Sequence, residues 1–158
     1  MSTTHKTNAL RMLESLGIAH EVATHPVGEE HFDAVEVARL LGISPDIMFK
    51  TLVARGGPEE IFVFCVPGNS ELDLKKAARV TGARRVDLVA LKDLTTLTGY
   101  VRGGCSPIGM KKRFPVWIDE IAAAQEKICV NAGARGMQVI VAPSDLLRAA
   151  DARYADLV

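Results

Sequence analysis

The sequence predicts an α+β fold: one domain, spanning residues 1–158, around a mostly antiparallel or mixed sheet. Three observations support this prediction. The predicted strands follow one another more often than they alternate with helices. The length of 158 residues suits a single domain. No repeat, linker or low-complexity tract divides the chain, and its 48% hydrophobic content is enough for a sizeable core.

The first elements follow from hydrophobic periodicity and capping residues. Residues 7–16 place apolar side chains on one helical face, and residues 18–23 have the composition of a short strand. Asp33, with Glu36 three positions later, has the spacing of a capping box and begins a helix. Gly42 is expected to end that helix.

The middle of the chain predicts a hairpin followed by a helix. Ser44-Pro45 begins a helical turn. The segments FKTLVAR and EEIFVFCV are rich in branched and aromatic residues, and GGP between them turns the chain, so they predict two paired strands. Asp73 begins a helix that runs through Val80.

The last third of the chain predicts three strands and a helix. The segments VWID, KICVN and MQVIVA are apolar and bounded by polar residues. Ser144 is predicted to cap a final helix from Asp145 to Ala150.

Charge and cysteine content exclude several classes of protein. Lys+Arg and Asp+Glu both number 19, so any contact with nucleic acid is expected to be local, and DNA is not expected as a partner. The absence of a signal peptide or a long apolar run predicts a cytoplasmic protein with no membrane contact. The three cysteines lack C-x-x-C spacing, and His20, His25 and His31 have the pattern of surface or loop residues, so no metal site is expected.

Lys50 is the first candidate functional side chain. A strand period of two places Lys50 on one face with Leu52 and Ala54, and both faces of this strand are largely apolar. A buried lysine is unfavourable unless it is paired. Two interpretations stay open: the side chain reaches water at the mouth of the strand, or it holds an anion or polarises a carbonyl in a pocket.

The segment GYVRGGCSPIGMKKRFP, residues 99–115, is the second candidate. Gly103, Gly104 and Gly109 permit positive φ and a close approach to the backbone, and exposed N–H groups there could bind an oxyanion. The segment fits neither the Walker A pattern nor G-x-G-x-x-G. An ordinary glycine-rich turn therefore remains an alternative.

Polar residues near this segment have open roles. Lys111, Lys112 and Arg113 form either a solvated face or a contact with a phosphate backbone. Cys105 has no base near it in the sequence, and no G-x-S-x-G motif is present. Asn131, in the turn NAGARG, either binds a ligand or serves the turn.

Four segments in order resemble the YbaK/EbsC family of aminoacyl-tRNA editing proteins, which are related to the editing domain of bacterial prolyl-tRNA synthetases. These segments are MFKTLVA, ELDLKKAARVTGARRV, GYVRGGCSPIGMKKRFP and NAGARGMQV. The likeness covers nearly the whole chain, from about Leu10 to the final ARYADLV. It implies a barrel-like sheet flanked by helices, and no metal or organic cofactor.

The resemblance also implies site residues. The family's key lysine falls on Lys50, and its G-x-x-x-P loop begins at Gly103, so these two residues are the predicted catalytic groups. The tyrosine frequent in the family near Ala23 to His25 is missing, and Gln138 replaces a common aspartate. The predicted substrate-binding residues are Phe32, Thr51, Gly104, Cys105, Ser106, Pro107, Asn131 and Gln138, and the predicted tRNA-binding residues are Lys111, Lys112 and Arg113.

The function implied by the resemblance is that of a free-standing, trans-acting deacylase. It would bind the 3′ aminoacyl-adenosine end of a mischarged tRNA and release cysteine from Cys-tRNA(Pro), with prolyl-tRNA synthetase as a candidate partner. No enzymic nucleophile is implied, because the substrate's own thiol attacks the ester carbonyl and leaves as a cyclic thiolactone. The protein then supplies positioning and oxyanion stabilisation.

Three alternatives to this function stay open. The first is a deacylase that uses water on Ala-tRNA, Ser-tRNA or another aminoacyl-tRNA. The second is a non-catalytic RNA- or nucleotide-binding module with Lys50 as a phosphate anchor. The third is an enzyme in which Lys50 forms a Schiff base with a carbonyl cofactor.

Overall fold

The computed structural model describes residues 6–27 and 33–158, and this part of the chain forms an α+β fold with two sheets. The helices are α1 (Asn8–Ser15), α2 (Ala34–Leu41), α3 (Leu74–Thr81), α4 (Leu91–Thr98) and α5 (Pro143–Ala150). The strands are β1 (Glu21–Thr24), β2 (Phe49–Gly57), β3 (Glu60–Pro67), β4 (Asp87–Leu88), β5 (Val116–Asp119), β6 (Ile128–Ala134), β7 (Met137–Val141) and β8 (Ala152–Ala155). Short 3-10 turns cover Pro45–Ile47 and Glu120–Ala124.

The capping residues explain where the helices begin and end. The side chains of Thr7, Asp33 and Asp73 accept hydrogen bonds from backbone amides in the first turns of α1, α2 and α3. Gly42 and Gly82 end α2 and α3 in the left-handed conformation. The helices predicted from Asp33 and Asp73 are therefore confirmed.

One predicted cap was wrong, and three short elements were not predicted. Ser144 lies inside α5, because Pro143 occupies the first helical position and Ala142 precedes it. The missed elements are α4, β4 and β8. The two strands have two and four residues, too few to show a period.

The larger sheet has the strand order β4-β2-β3-β5-β8. The β2–β3 pair is the predicted hairpin, and it is antiparallel. The β3–β5 and β5–β8 pairs are parallel, so this sheet is mixed. The smaller sheet, β1-β7-β6, is antiparallel throughout. The predicted fold class is confirmed.

The two sheets do not close into a barrel, which corrects the barrel-like arrangement implied above. They meet at one isolated parallel bridge between Met48 and Cys129. On its other edge, β2 pairs with β4 only at Ala54 and Arg55. Among the described residues, the first half of β2 therefore has no ladder partner on that side.

The main core lies between the sheets and is closed by α1 and α5. It includes Leu13, Phe49, Val130 and Leu146, all buried. A second apolar cluster packs α3 on the opposite face of the larger sheet. In the described residues, none of the helices is long and apolar enough to cross a membrane.

Candidate active site

A cavity of about 250 Å³, the β2 cavity, opens where the start of β2 meets the β6–β7 turn and the glycine-rich loop. Six of the residues predicted from the sequence lie in its wall: Lys50, Thr51, Gly103, Cys105, Asn131 and Gln138. Residues far apart in the sequence are thus brought to one place by the fold.

Lys50 lies at the rim of the β2 cavity. Its side chain is 31% exposed, and its Nζ lies 4.0 Å from Oε1 of Glu71, whose side chain is 97% exposed. A long ion pair in water contributes little. The lysine therefore reaches solvent, as one interpretation had it, and it also lines the cavity.

Gly103 and Gly104 are required for different reasons. Gly104 is buried, and a Cβ there would lie 2.9 Å from the amide nitrogen of Arg135 and 3.0 Å from the carbonyl carbon of Ala134. Gly103 has φ +80°, and a Cβ there would meet only the Arg135 side chain, at 3.7 Å. Gly104 thus lets the loop lie flat on the β6–β7 turn, and Gly103 supplies a left-handed backbone.

Two backbone amides of the loop have no hydrogen-bond acceptor among the described residues. The Gly104 amide donates to the carbonyl of Val101 at 2.9 Å. The amides of Gly103 and Cys105 donate no hydrogen bond to any group in residues 6–27 or 33–158. Because both residues line the cavity, these two N–H groups form a candidate oxyanion nest.

Asn131 fastens the loop to the β6–β7 turn. Its Nδ2 donates to the carbonyls of Gly103 at 3.0 Å and Ala134 at 3.1 Å. Its Oδ1 accepts from the amides of Gly133 at 2.6 Å and Ala134 at 3.2 Å. All four hydrogen-bonding positions of the side-chain amide are used inside the protein. Asn131 therefore positions Gly103.

His25 and Gln138 meet in the wall of the cavity. The Nδ1 of His25 lies 3.0 Å from the carbonyl oxygen of Pro26, and its Nε2 lies 3.3 Å from Nε2 of Gln138. These contacts hold the His25 ring between the Pro26 carbonyl and the Gln138 side chain. His25 is a loop residue, as the sequence interpretation had it, but its place in the cavity wall was not predicted.

The family comparison decides the class of protein. Residues 29–149 match the family model described as the aminoacyl-tRNA editing domain. The chain belongs to this family.

Individual relatives cover the editing domain to different extents. The protein named "Putative Cys-tRNA(Pro)/Cys-tRNA(Cys) deacylase EbsC" of Enterococcus faecalis is 44% identical over 155 residues, which are 98% of this chain and 94% of that protein. The proline--tRNA ligase of Shouchella clausii is 28% identical over 105 residues, which are 66% of this chain but only 18% of the ligase. The editing domain thus occurs in a relative of similar length and as a small part of a much longer enzyme.

A solved structure shows the same fold over almost its whole length. The structure described as "a putative trans-editing enzyme for prolyl tRNA synthetase" superposes with a TM-score of 0.84 and 27% identity. The superposition covers 98% of each chain. The two-sheet architecture is thus shared along the editing domain.

The Cys105 thiol is a poor nucleophile in this setting. It lines the β2 cavity and is half-buried, and burial raises its pKa to about 12. At pH 7 about one thiol in 100,000 would then be ionised. Cys65, which lies 3.9 Å from the Thr51 hydroxyl oxygen, is fully buried, and burial also raises its pKa to about 12.

Some predicted residues of the editing domain lie away from the β2 cavity wall. Ser106 is fully buried, and its hydroxyl accepts from the Ile108 amide at 3.2 Å. Pro107 lines a different cleft, together with Lys112 and Arg113 of the basic run, which is exposed. Phe32 lies outside the described residues.

The remaining wall of the β2 cavity was not predicted. Arg135 follows Asn131 in the turn NAGARG, which the sequence singled out for the asparagine alone. Ala34 and Val37 reach the cavity from α2, and their helical period was visible without any sign of what they would face. In the described part of the chain, no group of three His, Cys, Asp or Glu side chains could hold a metal ion.

Proposed function

We propose that this protein is a trans-acting deacylase that releases cysteine from Cys-tRNA(Pro). The central observation is the combination in the β2 cavity of a cation, two unused amides and a thiol that stays protonated. The 44% identical relative is named for this activity, and that name supports the same substrate here. At about 250 Å³ the cavity is smaller than the ~300–1,000 Å³ typical of small-molecule sites, which suits one small amino acid.

Lys50 and the loop amides are the proposed electrophilic machinery. Attack on the ester carbonyl places negative charge on its oxygen, and donors already aimed at that position lower the barrier. The Gly103 and Cys105 amides would hold this oxyanion, with the Lys50 ammonium nearby. Asn131 keeps the Gly103 backbone in place through its 3.0 Å hydrogen bond, so the nest is formed before substrate arrives.

The proposed nucleophile is the substrate's own thiol. Its sulfur forms a bond to the ester carbonyl carbon, the bond from that carbon to the ribose 3′ oxygen breaks, and the thiol proton ends on the 3′ oxygen. The products are a cyclic thiolactone and tRNA with a free 3′ hydroxyl. A protonated Cys105 fits this route, because an enzymic thiolate would compete for the same carbonyl.

Attack by water is the second candidate function, and the position of His25 supports it. Its ring lies in the cavity wall and is held between Pro26 and Gln138. An imidazole there could take a proton from water if the Gln138 amide moved aside. In that case alanine, serine or another small amino acid would be released as readily as cysteine.

Contact with tRNA is proposed through the exposed run Lys111, Lys112 and Arg113. This run follows the glycine-rich loop in the sequence, and Lys112 and Arg113 line the same cleft as Pro107 of that loop. Phosphate contacts of this kind position a nucleic acid without reading its sequence. The partial match to a proline--tRNA ligase supports prolyl-tRNA synthetase as a protein partner in the same process.

Single-turnover deacylation of Cys-tRNA(Pro) and Ala-tRNA(Pro), with a binding measurement for each, tests the proposal. Alanine differs from cysteine by the sulfur alone, so binding should weaken only by roughly 1–3 kcal/mol. The rate should fall much further, because the reacting group is gone. Ser-tRNA(Pro) and Pro-tRNA(Pro) complete the panel.

The controls separate the two chemistries. Thiolactone, trapped and identified by mass spectrometry, is expected from Cys-tRNA(Pro) only. Comparable rates on Cys- and Ala-tRNA(Pro) would reject thiol attack and favour water. Failure to release any amino acid from the whole panel, with RNA binding intact, would leave a binding module instead of an enzyme.

A further inference from the structure

A second cavity, the Trp117 cleft, lies on the other side of the glycine-rich loop. It has a volume of about 460 Å³, and its wall includes Trp117, Phe114, Pro107, Lys112, Arg113 and Arg153. Cys105 lines the β2 cavity and Pro107 lines the cleft, so two residues of one loop separate the two spaces. Two residues span at most about 7 Å of extended chain.

Trp117 gives the cleft a fixed aromatic surface. Its ring stacks on Phe64 with centroids 5.6 Å apart and planes at 22°, and Phe62 meets it edge-on at 5.7 Å and 71°. Both phenylalanines are buried, whereas Trp117 stays half-exposed in the cleft wall. The indole is thus held by two buried rings and remains partly exposed in the cleft wall.

The charged side chains around this aromatic surface are mainly positive. Lys112, Arg113 and Arg153 are all exposed, and none forms an ion pair with any residue in the described ranges. Arg153 stands opposite Trp117 in the parallel β5–β8 pair, so both side chains leave the same face of the sheet. Of the residues that the structure describes, Asp151 is the one acidic residue in the cleft wall.

We propose that the Trp117 cleft binds an unpaired nucleotide of the tRNA 3′ end, with its base against Trp117 and its phosphates on Arg113 and Arg153. The inference rests on the proposed function, which places the aminoacyl ester at the tRNA 3′ end in the β2 cavity. Aromatic faces combined with cations are the general means of holding single-stranded nucleic acid, and stacking tolerates any base. The cleft then anchors the RNA next to the reacting ester while taking no part in the chemistry.

The fluorescence of Trp117 tests binding directly, because this residue is the only tryptophan of the chain. Titration of the full-length protein with the RNA trinucleotide CCA, which needs no amino acid, should quench the signal. Arg153→Glu should weaken this binding about tenfold or more. It should also lower the slope of log affinity against log salt by about 0.7. Lys92→Glu reverses an exposed charge that lines neither cavity and should change nothing.

An activity measurement separates this inference from the proposed function. For Arg153→Glu, KM for Cys-tRNA(Pro) should rise, while cleavage of 3′-cysteinyl-adenosine, which lacks the neighbouring nucleotides, should match the wild type. If the wild type cleaves neither substrate, the proposed function fails. The titration with CCA still shows whether the Trp117 cleft binds RNA.

Three results would overturn the inference. The first is unchanged Trp117 fluorescence on addition of CCA, and the second is equal binding of CCA by Arg153→Glu and Lys92→Glu. The third result is equal competition by polyglutamate at the same charge concentration, which would show a surface for acidic chains in general. Retention of tight CCA binding by Arg153→Lys would support the phosphate contact, since that variant keeps the charge.

Discussion

The β2 cavity and the Trp117 cleft, which share the glycine-rich loop, differ in how closely their walls are packed. Beside the β2 cavity the loop packs closely on the β6–β7 turn, since a Cβ added at Gly104 would lie 2.9 Å from the amide nitrogen of Arg135. At the Trp117 cleft, the wall is a braced aromatic ring with exposed cations around it. Stabilising an oxyanion requires donors at fixed positions, whereas binding an RNA backbone requires only positive side chains near its phosphates.

This contrast predicts different kinetic signatures for the two places. Changes in the β2 cavity should lower the rate of the chemical step, whereas changes in the Trp117 cleft should raise KM for tRNA. Substitutions in and around the β2 cavity test the effect on the chemical step, and the largest loss of rate is expected at Lys50.

Lys50→Ala should have the largest effect. Loss of one preorganised oxyanion donor lowers the rate about 100- to 1,000-fold, which corresponds to about 3 kcal/mol. Single-turnover deacylation measures the loss, and circular dichroism checks the fold. Lys92→Ala, an exposed lysine that lines neither cavity, is the matched control. A folded Lys50→Ala protein with nearly normal turnover would remove Lys50 from the mechanism.

Gly104→Ala should come next, because its Cβ would push the loop off the β6–β7 turn. A shift of the order of 1 Å in a positioned group lowers the rate about 100-fold. Gly82→Ala is the control: it introduces a side chain at φ +76° with nothing within 4 Å, so it adds strain without moving the loop. Equal rates for wild type and Gly104→Ala, measured in single turnover, would show that the loop tolerates displacement.

Much of the fold could be predicted because it depends on local patterns. The caps at Asp33 and Asp73 and the hairpin of β2 and β3 are encoded within short segments. The parallel pairing of β5 with β3 and β8 depends on packing between distant segments, and no local pattern specifies it. The open barrel likewise depends on how little of β2 the two-residue β4 covers.

The site was predictable where residues stand out by type and missed where geometry alone gives them a role. Lys50 is conspicuous on an apolar strand, and the glycines of the loop are conspicuous by number. His25 carries no such signal, because only the pairing of β1 with β7 brings it to Gln138. The cleft was missed for the same reason: Trp117 and Arg153 are neighbours only across β5 and β8.

Asn131 offers a finer test, because its two ends can be changed separately. Asn131→Asp keeps an acceptor for the amides of Gly133 and Ala134 but loses the donor to the Gly103 carbonyl. Asn131→Ala loses both. The deacylation rate should fall about tenfold in both variants, since each releases the loop.

The thermal midpoints of these two variants provide the control. Asn131→Ala should lower the midpoint more than Asn131→Asp, because it also leaves the turn amides without a partner. If Asn131→Asp kept the wild-type rate, the hydrogen bond to Gly103 would have no part in positioning the nest.

Cys105→Ala should have the smallest effect on activity, within about twofold, because the proposed oxyanion contact uses the Cys105 amide and leaves its thiol unused.

The Cys105 thiol should also resist alkylation. Burial raises its pKa from an ordinary value of 9.0 to about 12, so the thiolate is about a thousandfold rarer at pH 8. Iodoacetamide labelling, followed by mass spectrometry, should therefore accelerate about tenfold per pH unit up to pH 11. Rapid labelling of Cys105 at pH 8, with loss of deacylation in step and protection by substrate, would identify an enzymic thiolate. The β2 cavity would then contain its own nucleophile, and release of cysteine would no longer need the sulfur of the substrate.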